Sequence, residues 1–179
     1  MMKDRAIRLT LREIKYDVKF DSWLREKVAN QIIKNANEDA EEVDYAYKSD
    51  KAEDWLIRQI QDAVDNVYGE LAWCTIEPDH FMTDSIENAW EKAETDYERT
   101  NESPTEWVIL FRFSPMWCGS MRAMRSYIST YVREYILSQW YRAAMPNNLG
   151  EYQMKADEAL HNAYNEARSE KVILPPWTL

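Results

Sequence analysis

Tyr127-Ile128-Ser129-Thr130-Tyr131-Val132-Arg133-Glu134-Tyr135-Ile136-Leu137-Ser138-Gln139-Trp140-Tyr141, followed at once by the hinge Met145-Pro146-Asn147-Asn148, decides the fold. With Met121 and Met124, the side chains of Ile128, Tyr131, Val132, Tyr135, Ile136 and Gln139 fall on one arc at about 100° per residue, the step of an α-helix. Arg122, Ser126, Ser129, Thr130 and Arg133 occupy the other arc. Pro146 lacks an N–H and its ring clashes with the preceding turn, so the helix stops there, and Asn147-Asn148 suit a turn and the next N-cap. Beyond the hinge, Leu149, Tyr152, Ala156, Ala159, Leu160, Ala163 and Ala167 make one face, whose alanines allow a second helix to approach closely. So short a hinge dictates antiparallel packing, and residues 118–171 are expected to form a helical hairpin.

The first hairpin helix changes character near its end. Leu137, Trp140 and Tyr141 stand where the polar arc had been, so that end is apolar all round and must be covered. The rest of the same chain or a second subunit would serve equally. Upstream, Trp107-Val108-Ile109-Leu110-Phe111-Arg112-Phe113 is branched and aromatic and precedes Pro115, which predicts a strand over 107–113. A lone strand leaves its backbone groups unsatisfied. Its partner is expected near Leu71 to Ile76 or in another subunit. Downstream, Val172-Ile173-Leu174-Pro175-Pro176-Trp177-Thr178-Leu179 is apolar and stiffened by proline, the composition of an extended docking tail rather than an idle terminus.

The N-terminal half reads as further helices. Thr10-Leu11-Arg12-Glu13 fits a capping box before a short helix ending near Val18. A second helix is expected after Asp21, through Trp23, Leu24, Val28 and Ile32, and residues 35–49 read as an acidic loop. A third starts at Ser49 or Asp50 and aligns Leu56, Ile60, Ala63, Val64, Val67 and Leu71. Residues 84–99, with Ile86, Ala89, Trp90 and Ala93, also fit a helix, and Asn101-Glu102-Ser103-Pro104 a turn. The expected fold is a single domain over 1–179, mainly α: a helical bundle with a long C-terminal antiparallel hairpin and a minor β strand or hairpin.

Composition narrows the function. The chain has 179 residues, eight Trp and eleven Tyr, enough for a sizeable core with aromatic contact surfaces. No apolar run approaches the roughly 20 residues of a membrane helix, and Met1-Met2-Lys3-Asp4-Arg5 lacks the apolar centre of a secretory signal. Cys74 and Cys118 are too few for a disulfide framework and read as buried thiols in a reducing cytoplasm. Charge is segregated: residues 1–35 hold 9 basic and 5 acidic side chains (net +4), and residues 36–106 hold 5 and 21 (net −16). Residues 107–150 hold 5 and 1 (net +4), and 151–179 hold 3 and 5 (net −2), which together give the overall −10. So acidic a middle repels nucleic-acid phosphates; it is either a solvated surface or the face for a basic partner or the basic segments of a neighbouring copy.

Catalytic chemistry finds no support. Gly69, Gly119 and Gly150 are too far apart for a phosphate cradle. The Cys and His spacings do not suit a structural zinc. Both histidines sit in Glu-x-x-His, the motif by which di-iron bundles put a carboxylate and an imidazole on one face. In Glu77-Pro78-Asp79-His80, however, a proline stands at a helix boundary, and in Glu158-Ala159-Leu160-His161 the motif points away from the Ala/Leu face. No cofactor, metal or catalytic residue is therefore assigned.

The run from Tyr127 to Tyr141, the Pro-Asn hinge, and the following Tyr152/Ala156/Ala159/Leu160/Ala163/Tyr164 helix resemble the core of tailed-bacteriophage head–tail connector (adaptor) and neck proteins. Leu9-Thr10-Leu11-Arg12-Glu13-Ile14-Lys15-Tyr16-Asp17 is similar to the openings of small virion proteins from phages of gut bacteria. The resemblance implies a structural virion protein, not an enzyme, assembled in the host cytoplasm. Copies would form a ring between portal and tail, contacting the portal, the tail or other neck proteins, and let DNA pass without specific binding. It implies subunit contacts at Leu137, Trp140, Tyr141, Trp107, Ile109, Phe111, Ile173, Leu174 and Trp177. The competing class is an acidic binding protein, a DNA mimic or inhibitor acting on a basic partner. A ferritin-like metal enzyme is a third.

Overall fold

The computed structural model describes residues 3–37, 41, 43–44, 46–47, 52–76, 105–144 and 149–170. In chain order the elements are β1 (Lys3–Thr10), α1 (Leu11–Ala36), α2 (Glu53–Glu70), β2 (Glu106–Phe113), α3 (Met121–Ala144) and α4 (Leu149–Ala167). The expected helix at 84–99, the turn at 101–104, the hinge at 145–148 and the tail at 172–179 lie outside the described residues.

β2 forms where branched and aromatic residues predict a strand, and its backbone groups are met from both sides. On one edge β1 pairs antiparallel with it, from Lys3 opposite Phe113 to Thr10 opposite Glu106. On the other, the Ile76 N–H donates to the Leu110 carbonyl (3.0 Å) and the Arg112 N–H to the Cys74 carbonyl (2.8 Å). The expected partner near Leu71–Ile76 is thus present, and the main partner is a strand that sequence reading missed. β1 hides because Lys3 and Arg5 fall on the face that Ile7 and Leu9 continue, which leaves too short an apolar alternation to read. Across the pair, Arg112 donates twice to the Asp4 carboxylate, at 2.9 and 2.8 Å.

Alternation sorts the sheet's side chains. Ile7, Leu9, Trp107, Ile109, Phe111 and Phe113 face the main core, and Val108 and Leu110 form a small second cluster with Ala6 and Ile76. α2 lays its predicted apolar face on the core, with Leu56, Ile60, Ala63 and Val67 fully buried. Two of its side chains, Gln61 and Tyr68, pin it to β2. The Trp107 indole N–H donates to Gln61 Oε1 (3.0 Å), and the Tyr68 hydroxyl donates to the Val108 carbonyl (3.2 Å).

α3 touches α1, α2, β1 and α4. Its end meets the start of α4, where Tyr141 stacks on Tyr152 at 4.8 Å. Its start meets the end of α4, where the Cys118 N–H donates to the Ser169 carbonyl (3.0 Å). The alanine face of α4 is buried as its spacing predicts.

Gly119 makes the second junction possible. A Cβ there would lie 2.5 Å from the Glu166 carbonyl oxygen and 2.7 Å from the Trp117 indole nitrogen, so only glycine fits without a shift of backbone.

Two expectations change. The break between Val18 and Asp21 is absent: α1 is one continuous helix of 26 residues, because nothing in Lys19-Phe20-Asp21 interrupts helical hydrogen bonding. Of the two thiols, Cys74 is buried, which pushes its pKa up to about 12, but Cys118 is exposed.

Candidate assembly surface

α1 begins conventionally. The Thr10 hydroxyl accepts from the Glu13 N–H as an N-cap, and Leu11, Ile14 and Val18 are buried. Beyond Val18 the inward positions turn polar: Ser22 is 0% and Asn30 7% exposed. Together with Glu26 they recur every fourth residue, one turn apart along the helix. All three hold the irregular segment that runs beside α1. The Asn30 carboxamide accepts from the Val43 N–H (2.8 Å) and donates to its carbonyl (3.0 Å). The Glu26 carboxylate accepts from the Ala46 N–H (2.7 Å), and the Ser22 hydroxyl from the Tyr47 N–H (3.0 Å). Backbone groups without a sheet or helix of their own need such partners, which is why this polar row faces inward.

The consequence lies on the opposite side. Tyr16, Phe20, Leu24, Val28 and Ile32 also recur every fourth residue, joined by Trp23, and all six are exposed, by 44 to 69%. Tyr16 stacks on Phe20 (6.2 Å, 7° between planes), and Phe20 lies 6.3 Å from Trp23. At about 1.5 Å per residue the row runs about 24 Å along the helix. Lys19 and Lys27, both exposed, stand one turn before and one turn after Trp23 and border the row on that side. Scattered apolar residues on a surface mean little, but a contiguous apolar row rimmed by charge is the form of a contact surface.

Beneath α1, ion pairs tie it to α3. Glu134, 3% exposed, meets Arg133 at 3.0 Å and Arg25 at 3.6 Å, and Arg133 also meets Asp21 at 3.0 Å. Arg25 lies 4.4 Å above the Tyr152 ring, linking the cluster to α4. Burial raises the Asp17 carboxyl above its ordinary value; nearby Arg133 works against this, while Asp21 and Glu13 add to it.

The contacts inferred from sequence are placed differently. Leu137, Tyr141, Ile109 and Phe111 are at most 1% exposed and Trp107 is 6% exposed. The apolar end of α3 is therefore covered at Leu137 and Tyr141 by this same chain, and all five side chains are buried within it. Trp140 is half-buried in an aromatic cluster, 5.0 Å from Tyr47 and 5.5 Å from Trp55. Ile173, Leu174 and Trp177 lie outside the described residues.

Glu158 and His161 are both exposed, and no group of His, Cys, Asp and Glu suited to a metal ion occurs among the described residues. No described helix is long and apolar enough to cross a membrane. No family model, curated protein or solved structure matches this chain.

Proposed function

We propose that this protein is a structural assembly component whose copies associate through the exposed face of α1 and close into a ring. The observation that carries the reading is the exposed apolar row from Tyr16 to Ile32, flanked by the exposed Lys19 and Lys27. The occupant we assign to it is a second copy of the chain, because residues 36–106 carry 5 basic and 21 acidic side chains against 9 and 5 in residues 1–35. A repeated contact between unlike patches is heterologous, and it closes into a ring when the rotation between copies allows. The helical bundle, with its C-terminal antiparallel hairpin, serves in this reading as the rigid scaffold that holds α1 outward.

The resemblance of the hairpin narrows the proposal to a head–tail connector or neck protein of a tailed phage, lying between portal and tail in the virion and assembled in the host cytoplasm. An acidic lumen would let DNA pass without adhering. The role is structural and assigns no catalysis. The same acidic middle favours a second reading, an inhibitor or DNA mimic that occupies a basic partner as a monomer.

Light scattering on the purified chain separates the two. The ring reading expects a single species at a multiple of 21.3 kDa. Phe20→Asp and Ile32→Asp are expected to shift it towards monomer while leaving unfolding free energy within about 0.5 kcal/mol, since both side chains are exposed. A chain that stays monomeric at all concentrations and binds a basic protein overturns the ring.

A further inference from the structure

A cleft of about 560 Å³ opens where the end of β2, the turn before α3 and the end of α4 meet. Its walls include Trp73, Phe113, Trp117 and Tyr164, with Arg168 and Glu170 beside them. Trp117 stacks on Phe113 at 4.1 Å, and Trp73 meets Tyr164 edge-on at 6.1 Å. The Arg168 guanidinium lies 5.4 Å from the Tyr164 ring centre and donates to its hydroxyl at 3.1 Å. Trp73 is 53% exposed. The volume falls in the range of binding clefts. One cation and one anion leave the cleft without net charge, so its chemistry favours a neutral, apolar occupant over an ion.

We propose that this cleft is the docking site of the chain's own segment Val172–Leu179. Three observations converge. Glu170 lies at the cleft and bridges to Trp117, so the chain leaves the described fold at the cleft's rim. The following residues reach at most about 30 Å when extended, which puts the whole cleft within range of the same molecule. The segment carries no ionisable side chain, and Pro175-Pro176 preset the extended left-handed conformation that aromatic-lined grooves recognise, with Trp177 as an anchor. Tethering gives the segment an effective concentration in the millimolar range, so a weak site suffices. Sequence reading leaves the segment free to dock on its own chain or on a neighbour; the cleft assigns it to its own chain. The proposal does not rest on the ring.

The test is a fluorescein-labelled peptide, Lys171–Leu179, titrated into two full-length proteins. One is the wild type; the other carries Ile173→Ser, Leu174→Ser and Trp177→Ser, so its own segment no longer competes. The peptide is expected to bind the triple variant at least about tenfold more tightly. Adding Trp73→Ala is expected to abolish that binding, with an unchanged circular dichroism spectrum because Trp73 is largely exposed. Light scattering is expected to give the same mass for wild type and triple variant. Equal binding to both proteins, no binding to the triple variant, or binding that survives Trp73→Ala overturns the proposal. A change of mass in the triple variant also overturns it, since it places the segment on a neighbouring copy.

Discussion

Gly119 and Asp17 show how single residues answer to what surrounds them. At Gly119 the constraint is space, set by the Glu166 carbonyl and the Trp117 indole. Gly119→Ala is expected to lower stability by about 1 to 3 kcal/mol, read from urea unfolding. An unchanged midpoint would mean that the junction of α3 and α4 can give way. At Asp17 the constraint is charge. Its folded pKa is raised, by burial first, above the ordinary value of 3.8, so the native state holds its proton at pH values where the unfolded chain has lost it. Stability from this group is then present at acid pH and declines as pH rises from about 4 through the raised folded pKa. Asp17→Asn is expected to raise stability at pH 7 and to flatten the pH dependence above about 4, both measurable by thermal unfolding across pH. A variant less stable at pH 7 would show that the attraction to Arg133 outweighs burial.

At the scale of elements, α1 is the unusual one. Its two i, i+4 rows, Ser22/Glu26/Asn30 and Tyr16/Phe20/Leu24/Val28/Ile32, compete for the interior, and the polar row wins because the backbone groups of Val43, Ala46 and Tyr47 need partners. Asn30→Ala removes both partners of Val43, whose backbone groups then lose their protein partners at a cost of about 2 kcal/mol. Hydrogen exchange should show faster exchange at Val43, and protection equal to wild type would argue against the clamp. α3 is the opposite case, with its late apolar positions satisfied inside the fold. Trp140→Ala is expected to cost about 3 kcal/mol through the Tyr47–Trp55–Trp140 cluster, visible in unfolding of the isolated chain. Local spacing alone suggests a subunit contact for Trp140, and the observed packing makes its first role internal.

For the whole molecule, charge segregation is the governing feature of the assembly proposal. If unlike segments meet across the contact, raising salt shortens the Debye length from about 10 Å at 0.1 M to about 3 Å at 1 M. The association constant from sedimentation velocity is then expected to fall with salt, while the apolar row retains part of the affinity. Association that is constant or stronger in high salt would leave the apolar row as the whole of the contact. The docking proposal belongs to the same scale: a segment housed on its own chain would keep eight residues without ionisable side chains from joining copies indiscriminately.

Periodicity alone determined much of this fold. The helices α2, α3 and α4, the alanine face, the strand at 107–113 and the pressure to cover Leu137, Trp140 and Tyr141 all follow from local spacing, which acts within a few turns of chain. Besides β1 and the continuity of α1, two matters lay beyond it. Whether an apolar helix end is covered by its own chain or another depends on long-range packing, and here Tyr47, Trp55 and Tyr152 supply part of the cover from distant positions. Which of two equally periodic rows on α1 faces inward depends on a neighbouring backbone that lacks regular structure. A helical wheel records the spacing of side chains, but the unmet hydrogen bonds that orient the helix belong to another segment, and only tertiary structure brings the two together.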